Sequence, residues 1–272
     1  MIKLIVSDLD GTLLHNSRHI KPEDQTAIHN ALASGITVTF ASGRMHPEII
    51  HVSNKLGISA HSVSQNGAFV HTKDQELILQ DIFETSLIRQ LAQAAEGTPI
   101  YTLLNGPDYY VTTVMNEGYA AIEANLLAPL RVMPHAIEAL GSELLCCKIS
   151  YLGEMEQLLA LQQELLSTLG DKIDAYISDV NCMDVMPRHV SKGAGLQALL
   201  SYSGIRADEA ICIGDSFNDI SMFGAIPNSF AMSTSHPDVQ ARAAYVVDSV
   251  AEAVSWALQT NADNSDTRAK LT

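Results

Sequence analysis

The sequence predicts an α/β protein: a discontinuous parallel-sheet domain carrying an inserted α+β lid. Three observations lead there. Strand-like apolar runs alternate with helical patterns over residues 2–64, as in a parallel sheet covered by helices. The pattern changes to hairpins between residues 101 and 186, and the first pattern returns after Pro187. Hydrophobic residues make up 47% of the 272 positions, enough for one large domain or two moderate ones.

Residues 2–7 read as a buried strand, and 22–33 as a helix with Ala27, Ile28, Ala31 and Leu32 facing inward. Gly35 stops that helix, and residues 36–41 form a second strand. Ser42-Gly43-Arg44 follows, then a helix to about Leu56, then a short strand ending near Ser64 and leading into Gln65-Asn66-Gly67. In the middle, 101–104 and 109–114 read as hairpin strands turning around Asn105-Gly106-Pro107-Asp108. A helix is expected over 116–127 with Pro129 beyond it, a strand over 144–152, and an amphipathic helix over 154–169 closed by Gly170. Strands at 173–178 and 182–186 make a second hairpin. After Pro187 come a helix at 191–202, a buried strand at 210–214, a helix at 218–223, strands at 230–232 and 245–247, and a helix at 248–258. The polar stretch that follows reads as a mobile tail. The expected domains are therefore 1–82 with 187–260, the insertion 83–186, and the tail 261–272.

Net charge is −15, which argues against a nucleic-acid surface. A phosphorylated small molecule is compatible with it, because a bound divalent metal and a few local cations can dominate a site. No apolar run reaches the ~18–20 residues that span a bilayer, and the chain enters its first strand without a basic region and apolar signal core. A cytoplasmic protein without membrane or nucleic-acid partners is the expectation. The four cysteines include no Cys-x-x-Cys pair, so Cys146, Cys147, Cys182 and Cys212 read as buried small hydrophobes.

The chemistry concentrates at strand ends. Asp8-Leu9-Asp10-Gly11-Thr12 closes the first strand with two carboxylates one residue apart. Unpaired charges are excluded from buried strands, but the C-terminal ends of parallel strands face the ligand crevice. Two anions held together there need a cation, and Mg²⁺ favours such oxygen ligands. Ser42-Gly43 ends the second strand with a hydroxyl and N–H groups that can cradle an anion. Lys192 opens the helix after the insertion as a point charge suited to phosphate. Gly214-Asp215-Ser216-Phe217-Asn218-Asp219 ends the third strong strand with two more carboxylates. Alone, each has a plain reading: Ser42 as a helix cap, Lys192 as a solvated charge, Asp215 and Asp219 as acceptors for backbone donors. Their common position on strand ends favours a site.

Together, these four groups resemble the motifs of haloacid dehalogenase-like phosphatases. The chain length and the position of the insertion resemble the Cof-type subfamily with its type IIB cap. Ala41-Ser42-Gly43-Arg44, Asn66-Gly67-Ala68 and Val190-Ser191-Lys192-Gly193 match further signatures of that subfamily. The resemblance covers about residues 1–260 and implies a Rossmann-like core, an inserted cap domain and a Mg²⁺-dependent phosphatase of small phosphorylated metabolites, such as a sugar phosphate or pyridoxal phosphate. By that resemblance Asp8 is the nucleophile that becomes an aspartyl-phosphate, and Asp10 protonates the leaving alkoxide and then activates water. Mg²⁺ is held by Asp8, the Asp10 backbone carbonyl and Asp215, with Asp219 supporting from behind. Ser42, the backbone at Leu9 and Gly43, Lys192 and Asn218 surround the phosphoryl oxygens. Two positions depart from the subfamily: Ser233-Thr234-Ser235 stands where Gly-Asn-Ala is common after Ala-Met, and Ser216 where Asn is common.

Other readings compete. A phosphomutase or phosphotransferase shares the aspartyl-phosphate and differs only in the acceptor. Gly193-Ala194-Gly195-Leu196-Gln197-Ala198 fits a dinucleotide fingerprint, with Asp215 about twenty residues on. Its glycines do not end a strand directly, however, which favours small helix residues packed against the sheet over an NAD-dependent oxidoreductase. A non-catalytic sensor is disfavoured by the intact acidic groups. Specificity is expected on the insertion and its hinges, with Tyr109, Tyr110, Asp184, Arg188 and His189 as candidates, and with Arg44 favoured over His46 beside the second strand. Tyr109 and Tyr110, at strand positions, read more readily as core of the insertion than as ligand contacts, and His189 reads at least as well as a solvated hinge residue.

Overall fold

The computed structural model describes residues 1–15, 19–124, 126, 128 and 130–269. The chain divides into two compact units, Met1–Gln80 with Ser191–Thr272, and Asp81–Val190. The seams thus fall at 80/81 and 190/191, where the sequence placed them at 82/83 and 186/187.

The first unit opens with β1 (Leu4–Ser7), α1 (Pro22–Ala33), β2 (Thr37–Ala41), α2 (His46–Leu56) and β3 (His61–Ser64). Pro22 begins α1 where a missing N–H costs nothing, and Gly57 ends α2 in the left-handed region, at φ +67°. Ala27, Ile28 and Ala31 are buried as the pattern required, and Leu32 is partly so. Two strands follow that were not expected, β4 (Phe69–His71) and β5 (Leu77–Gln80). They extend the sheet antiparallel to β3 and to each other.

The second unit contains α3 (Thr85–Gln93), β6 (Tyr101–Asn105), β7 (Tyr110–Thr112), α4 (Glu117–Glu123), β8 (Leu130–Val132), α5 (Ala136–Ala139), β9 (Lys148–Leu152), α6 (Met155–Leu169), β10 (Ile173–Asp179) and β11 (Cys182–Pro187). Among the described residues its sheet runs β10-β11-β9-β6-β7-β8. One face packs Ile149, Tyr151, Met183 and Val185 against the apolar stripes of α3 and α6, while Leu103 meets Tyr119 of α4 on the other. Asn116 caps α4 by accepting the Tyr119 N–H. Leu127 and Pro129, expected to end that helix, lie outside the described residues. The strand expected from 144 begins only at Lys148, because Leu140–Leu144 closes a turn and the Cys147 N–H is drawn to the Asn105 carbonyl at 2.9 Å. No cysteine forms a disulfide, and Cys146, Cys147 and Cys212 are buried. Cys182 is half-buried at the start of β11, so the all-buried expectation fails there.

The chain then returns to the first unit through α7 (Lys192–Ser203), β12 (Ala210–Gly214), α8 (Ile220–Ala225), β13 (Asn228–Met232), α9 (Pro237–Gln240), β14 (Tyr245–Val247) and α10 (Val250–Ala269). A 3-10 turn, Phe217–Asp219, precedes α8 where the sequence suggested continuous helix. Among the described residues the sheet order is β14-β13-β12-β1-β2-β3-β4-β5, parallel from β14 to β3. In β1, Ile5 faces a core shared with α1, α2 and α10. Leu4 and Val6 face the core shared with α7 and α8. This is the expected α/β class with helices on both faces. Gly193 and Gly195 lie inside α7, not at a strand end, and a Cβ on Gly193 would come within 2.2 Å of the Ser221 carbonyl oxygen. The glycine pair therefore serves helix packing, and the dinucleotide reading falls.

The tail prediction also needs correction. α10 continues through Ala269 instead of ending near Leu258. Buried Asp24 accepts the Ala251 N–H at 2.8 Å at its start. Asn261, a polar residue of the supposed tail, clasps Ile2 by accepting its N–H at 2.6 Å and donating to its carbonyl at 2.8 Å. Among the described residues no helix is long and apolar enough to cross a membrane.

His46, weighed as a site residue from the sequence, serves the sheet instead. Its ring stacks on His71 at 3.7 Å, with Nδ1 2.6 Å from Ser62 Oγ and Nε2 3.0 Å from Gln75 Oε1. Burial, then the neighbouring His46, pushes His71 down from 6.5 to about 4. A base held neutral in the fold contributes stability that is complete above its unfolded value and is lost as pH falls through the folded one. The urea midpoint is therefore expected to fall as pH drops from 6.5 toward about 4. His71→Asn should flatten that fall, and an unchanged pH profile in the variant would contradict this account.

Candidate active site

Three neighbouring parallel strands, β2, β1 and β12, end side by side, so the residues just beyond them share one rim. Asp8, Leu9 and Asp10 follow β1, Ser42 and Gly43 follow β2, and Asp215 follows β12. The chain turns sharply after β1 because the Leu9 carbonyl accepts the N–H groups of Thr12 and Leu14, at 3.4 and 2.6 Å. Gly11, at φ +86°, is required in that turn, since a Cβ would lie 2.3 Å from an Asp215 carboxylate oxygen. Thr12, to which the sequence reading gave no role, donates its hydroxyl to Asp215 Oδ1 at 3.0 Å. Its place within the Asp8–Thr12 motif was the only sequence signal for it.

Lys192 joins these parts. It is 1% exposed at the first position of α7, where Ser191 caps the helix by accepting the Ala194 N–H. Its ammonium donates to Asp8 Oδ1 at 2.6 Å and to Asp219 Oδ1 at 2.7 Å. Asp219 spends its other oxygen on the N–H groups of Asp215 and Ser216, at 2.9 and 3.0 Å. Both Asp219 oxygens are thus occupied within the protein. In contrast, Asp8 Oδ2 is buried without a hydrogen-bond partner.

Carboxylate oxygens of Asp8, Asp215 and Asp219 all lie within 4.8 Å of one another. Burial pushes the Asp8 carboxyl well above its ordinary value; Lys192 pulls it down, and Asp219 and Asp215 push it up. Burial, then Asp219, raises Asp215, with Thr12 opposing. Crowded carboxyls of this kind seek a proton or a cation. An oxygen-only donor set with one buried, unpartnered oxygen fits a hard divalent ion.

Beside the carboxylates, the N–H groups of Leu9 and Gly43 have no acceptor among the described residues. Leu9 is buried, where an unmet N–H is costly, and both donors are suited to an anion. Ser42 is 1% exposed and its Oγ accepts the Arg44 N–H at 3.2 Å. The Asn218 side chain donates to Asn66 Oδ1 at 3.1 Å. Arg44, favoured from the sequence for substrate contact, places Nε and Nη2 on the two Asp10 oxygens at 2.7 and 2.6 Å. This bidentate geometry fixes a carboxylate in direction as well as in position.

The remaining candidates belong to the second unit. His189 Nε2 lies 2.8 Å from Asp81 Oδ1. Tyr109 exchanges hydrogen bonds with the Leu145 backbone at 3.0 and 3.1 Å, and Arg188 donates to the Gly170 carbonyl. Asp184 is buried with Lys148 at 3.0 Å and Ser150 at 2.6 Å.

The fold and rim define a class, and comparison with known proteins agrees. A family model for haloacid dehalogenase-like hydrolases matches residues 5–258. The chain belongs to that family and is an enzyme of its phosphatase type. It is 27% identical over 275 residues to the HMP-PP phosphatase of Klebsiella pneumoniae (strain 342), covering 98% of both chains. To the HMP-PP phosphatase of Escherichia coli O6:H1 it is 27% identical over 243 residues, covering 89% of this chain and 88% of that one. A haloacid dehalogenase-like hydrolase from Bacteroides thetaiotaomicron superposes with a TM-score of 0.83 at 26% identity, covering 94% of this chain and 99% of that chain. The HAD subclass IIB sugar phosphatase BT4131 shares the fold, with a TM-score of 0.76 at 20% identity over 92% and 95% of the two chains.

The buried triad Asp8–Lys192–Asp219 sets a stability expectation. Removing one member of a buried ion pair leaves uncompensated charge and costs about 3–5 kcal/mol. Lys192→Met should lower unfolding stability by about that amount in urea titration at neutral pH. An unshifted midpoint would show that the triad contributes little.

Proposed function

We propose that this protein is a Mg²⁺-dependent phosphatase that hydrolyses a small phosphorylated metabolite through an aspartyl-phosphate on Asp8. The observation that carries the reading is the buried, unpartnered Asp8 Oδ2, set among carboxylates and beside the N–H groups of Leu9 and Gly43. Asp8, the Asp10 carbonyl and Asp215 hold the metal in this reading. Bound Mg²⁺ neutralises charge on the phosphoryl group and lets a carboxylate approach it.

The protein's own groups do the rest. Ser42, Lys192, Asn218 and the Leu9 and Gly43 N–H groups bind the phosphoryl oxygens and favour the charge that develops there. Asp8 attacks phosphorus as the ester P–O bond breaks, and Asp10 gives its proton to the departing oxygen. Asp10 then takes a proton from water, which attacks phosphorus and releases phosphate from Asp8. Arg44 aims Asp10 through its two hydrogen bonds. Asp219 acts indirectly, fixing Lys192 and the Asp215 loop.

Relatives called HMP-PP phosphatases put HMP-PP first in a substrate screen, beside sugar phosphates and pyridoxal phosphate. Released phosphate in the presence of Mg²⁺ is the measurement. Excess EDTA should stop release and added Mg²⁺ restore it, whereas turnover in EDTA would refute the metal role. Asp8→Asn should abolish turnover, since an amide cannot form the acyl-phosphate; retained hydrolysis would exclude the covalent route. Asp10→Ala should slow kcat by the ~10²–10⁴-fold typical of a lost general acid–base. Near-normal turnover would assign the proton transfer elsewhere.

A further inference from the structure

Two consecutive residues of the first unit, Gln65 and Asn66, hold left-handed backbone at φ +49° and +54°. Glycine adopts that region freely, asparagine tolerates it, and glutamine enters it rarely. Backbone strain of this kind collects where a functional site over-determines the chain. The two residues belong to the turn Gln65–Gly67 that follows β3, and this turn touches three parts of the candidate site. First, the Gln65 and Asn66 N–H groups donate to the Arg44 and Ser42 carbonyls, at 2.8 and 3.0 Å. Second, Gly67 lies against the start of α7, where a Cβ would fall 2.1 Å from the Ser191 carbonyl oxygen and 3.2 Å from the Lys192 backbone nitrogen.

The third contact is made by the Asn66 side chain. Its amide packs over Gly43, with Oδ1 3.2 Å from the place a Gly43 Cβ would take. The same oxygen accepts from Asn218 Nδ2 at 3.1 Å. Asn218 is exposed, and among the described residues Asn66 is the sole partner of its side chain. The two ends of an amide are nearly equal in shape and opposite in polarity, one donating and one accepting. Accepting from Asn218 selects the nitrogen end and turns it to the Gly43 side. One N–H is used on Asn66, and the second is left as a donor. Reversed, the amide would present its oxygen there and repel an anion.

We propose that Asn66 is a positioning residue for phosphoryl binding: its side-chain oxygen holds the exposed Asn218 amide with the nitrogen turned to the anion. The left-handed turn is what places that oxygen between Gly43 and Asn218. The inference rests on the phosphatase reading, in which Asn218 and the Gly43 N–H meet the phosphoryl oxygens. Holding the amide in advance removes an ordering cost that binding would otherwise carry.

Binding of inorganic phosphate to the full chain in the presence of Mg²⁺, followed by phosphorus NMR, tests this in a cycle of Asn66→Gly, Asn218→Ala and the double variant. Glycine adopts φ +54° without strain, so Asn66→Gly keeps the turn and its melting temperature should hold. The substitution should raise the phosphate dissociation constant about fivefold, the worth of one ordinary hydrogen bond. Asn218→Ala should cost at least as much, and the double variant no more than Asn218→Ala alone. A merely structural role for Asn66 would add its own loss to that of Asn218→Ala. Unchanged binding in a folded Asn66→Gly protein, or additive losses, would overturn the proposal. If Asn66→Gly does not fold, the wild type decides: a mobile Asn218 side-chain amide, read from its nitrogen relaxation, would overturn the proposal, and a rigid one would support it. Phosphate release by the same proteins keeps the two readings apart. Coupled phosphate binding without turnover by the wild type would refute the phosphatase reading and leave the role of Asn66 standing. Turnover with uncoupled binding would refute the role of Asn66 alone, and a wild type that binds no phosphate would refute both.

Discussion

The buried ammonium of Lys192 is the constraint on which the first unit's rim depends. A charge that is 1% exposed is tolerable only when paired and hydrogen-bonded. Here it meets two carboxylates from segments far apart in the chain, at 2.6 and 2.7 Å. One ion-pair network therefore ties the end of β1, the start of α7 and the loop after β12 into a single arrangement. Asp219 extends the tie by accepting two loop N–H groups, so the position of Asp215 follows from that of Lys192.

That network also explains why Asp8 is left half-satisfied. Its Oδ1 is engaged by the ammonium, while Oδ2 is buried and unpartnered. Burial of such an oxygen costs free energy that a purely structural carboxylate would avoid. Proteins break local rules of this kind where function requires it. The Asp8 carboxyl, raised by burial and by two neighbouring carboxylates, is consistent with a group prepared for a cation. Asp10 is treated differently. Its side chain is 42% exposed and held by a guanidinium from the α2 side of β2, so it keeps contact with water while its direction is set. Two carboxylates one residue apart thus have distinct environments, which suits distinct chemical roles.

Much of the candidate rim was legible in the sequence because it lies at strand ends, where short motifs and strand patterns coincide. Asp8, Asp10, Ser42 and Asp215 each follow a strand within one to three residues, and parallel pairing of β2, β1 and β12 puts those ends together. Thr12 and Gly11 were visible only as parts of a motif, since their roles depend on Asp215, some two hundred positions away. The Arg44 contact with Asp10 was not legible either. A guanidinium beside a strand end fits substrate and carboxylate equally well until its rotamer is known. In the fold, apolar strands down to the three-residue β14 and capped helices were readable, whereas the β4–β5 hairpin and β8 were not.

The sequence by itself determined the α/β class, the interrupted first unit and the identity of the acidic groups, because these rest on local periodicity and on side-chain chemistry. Only the tertiary structure decided how those groups divide their bonds. It assigned Lys192 to two carboxylates, Arg44 to Asp10 and the α7 glycines to helix packing, and it carried α10 through residues 261–269 of the supposed tail, with Asn261 clasping Ile2. Each of those outcomes joins residues distant in sequence. Such contacts are chosen by competition for a limited set of buried donors and acceptors, which exists only once the chain has folded.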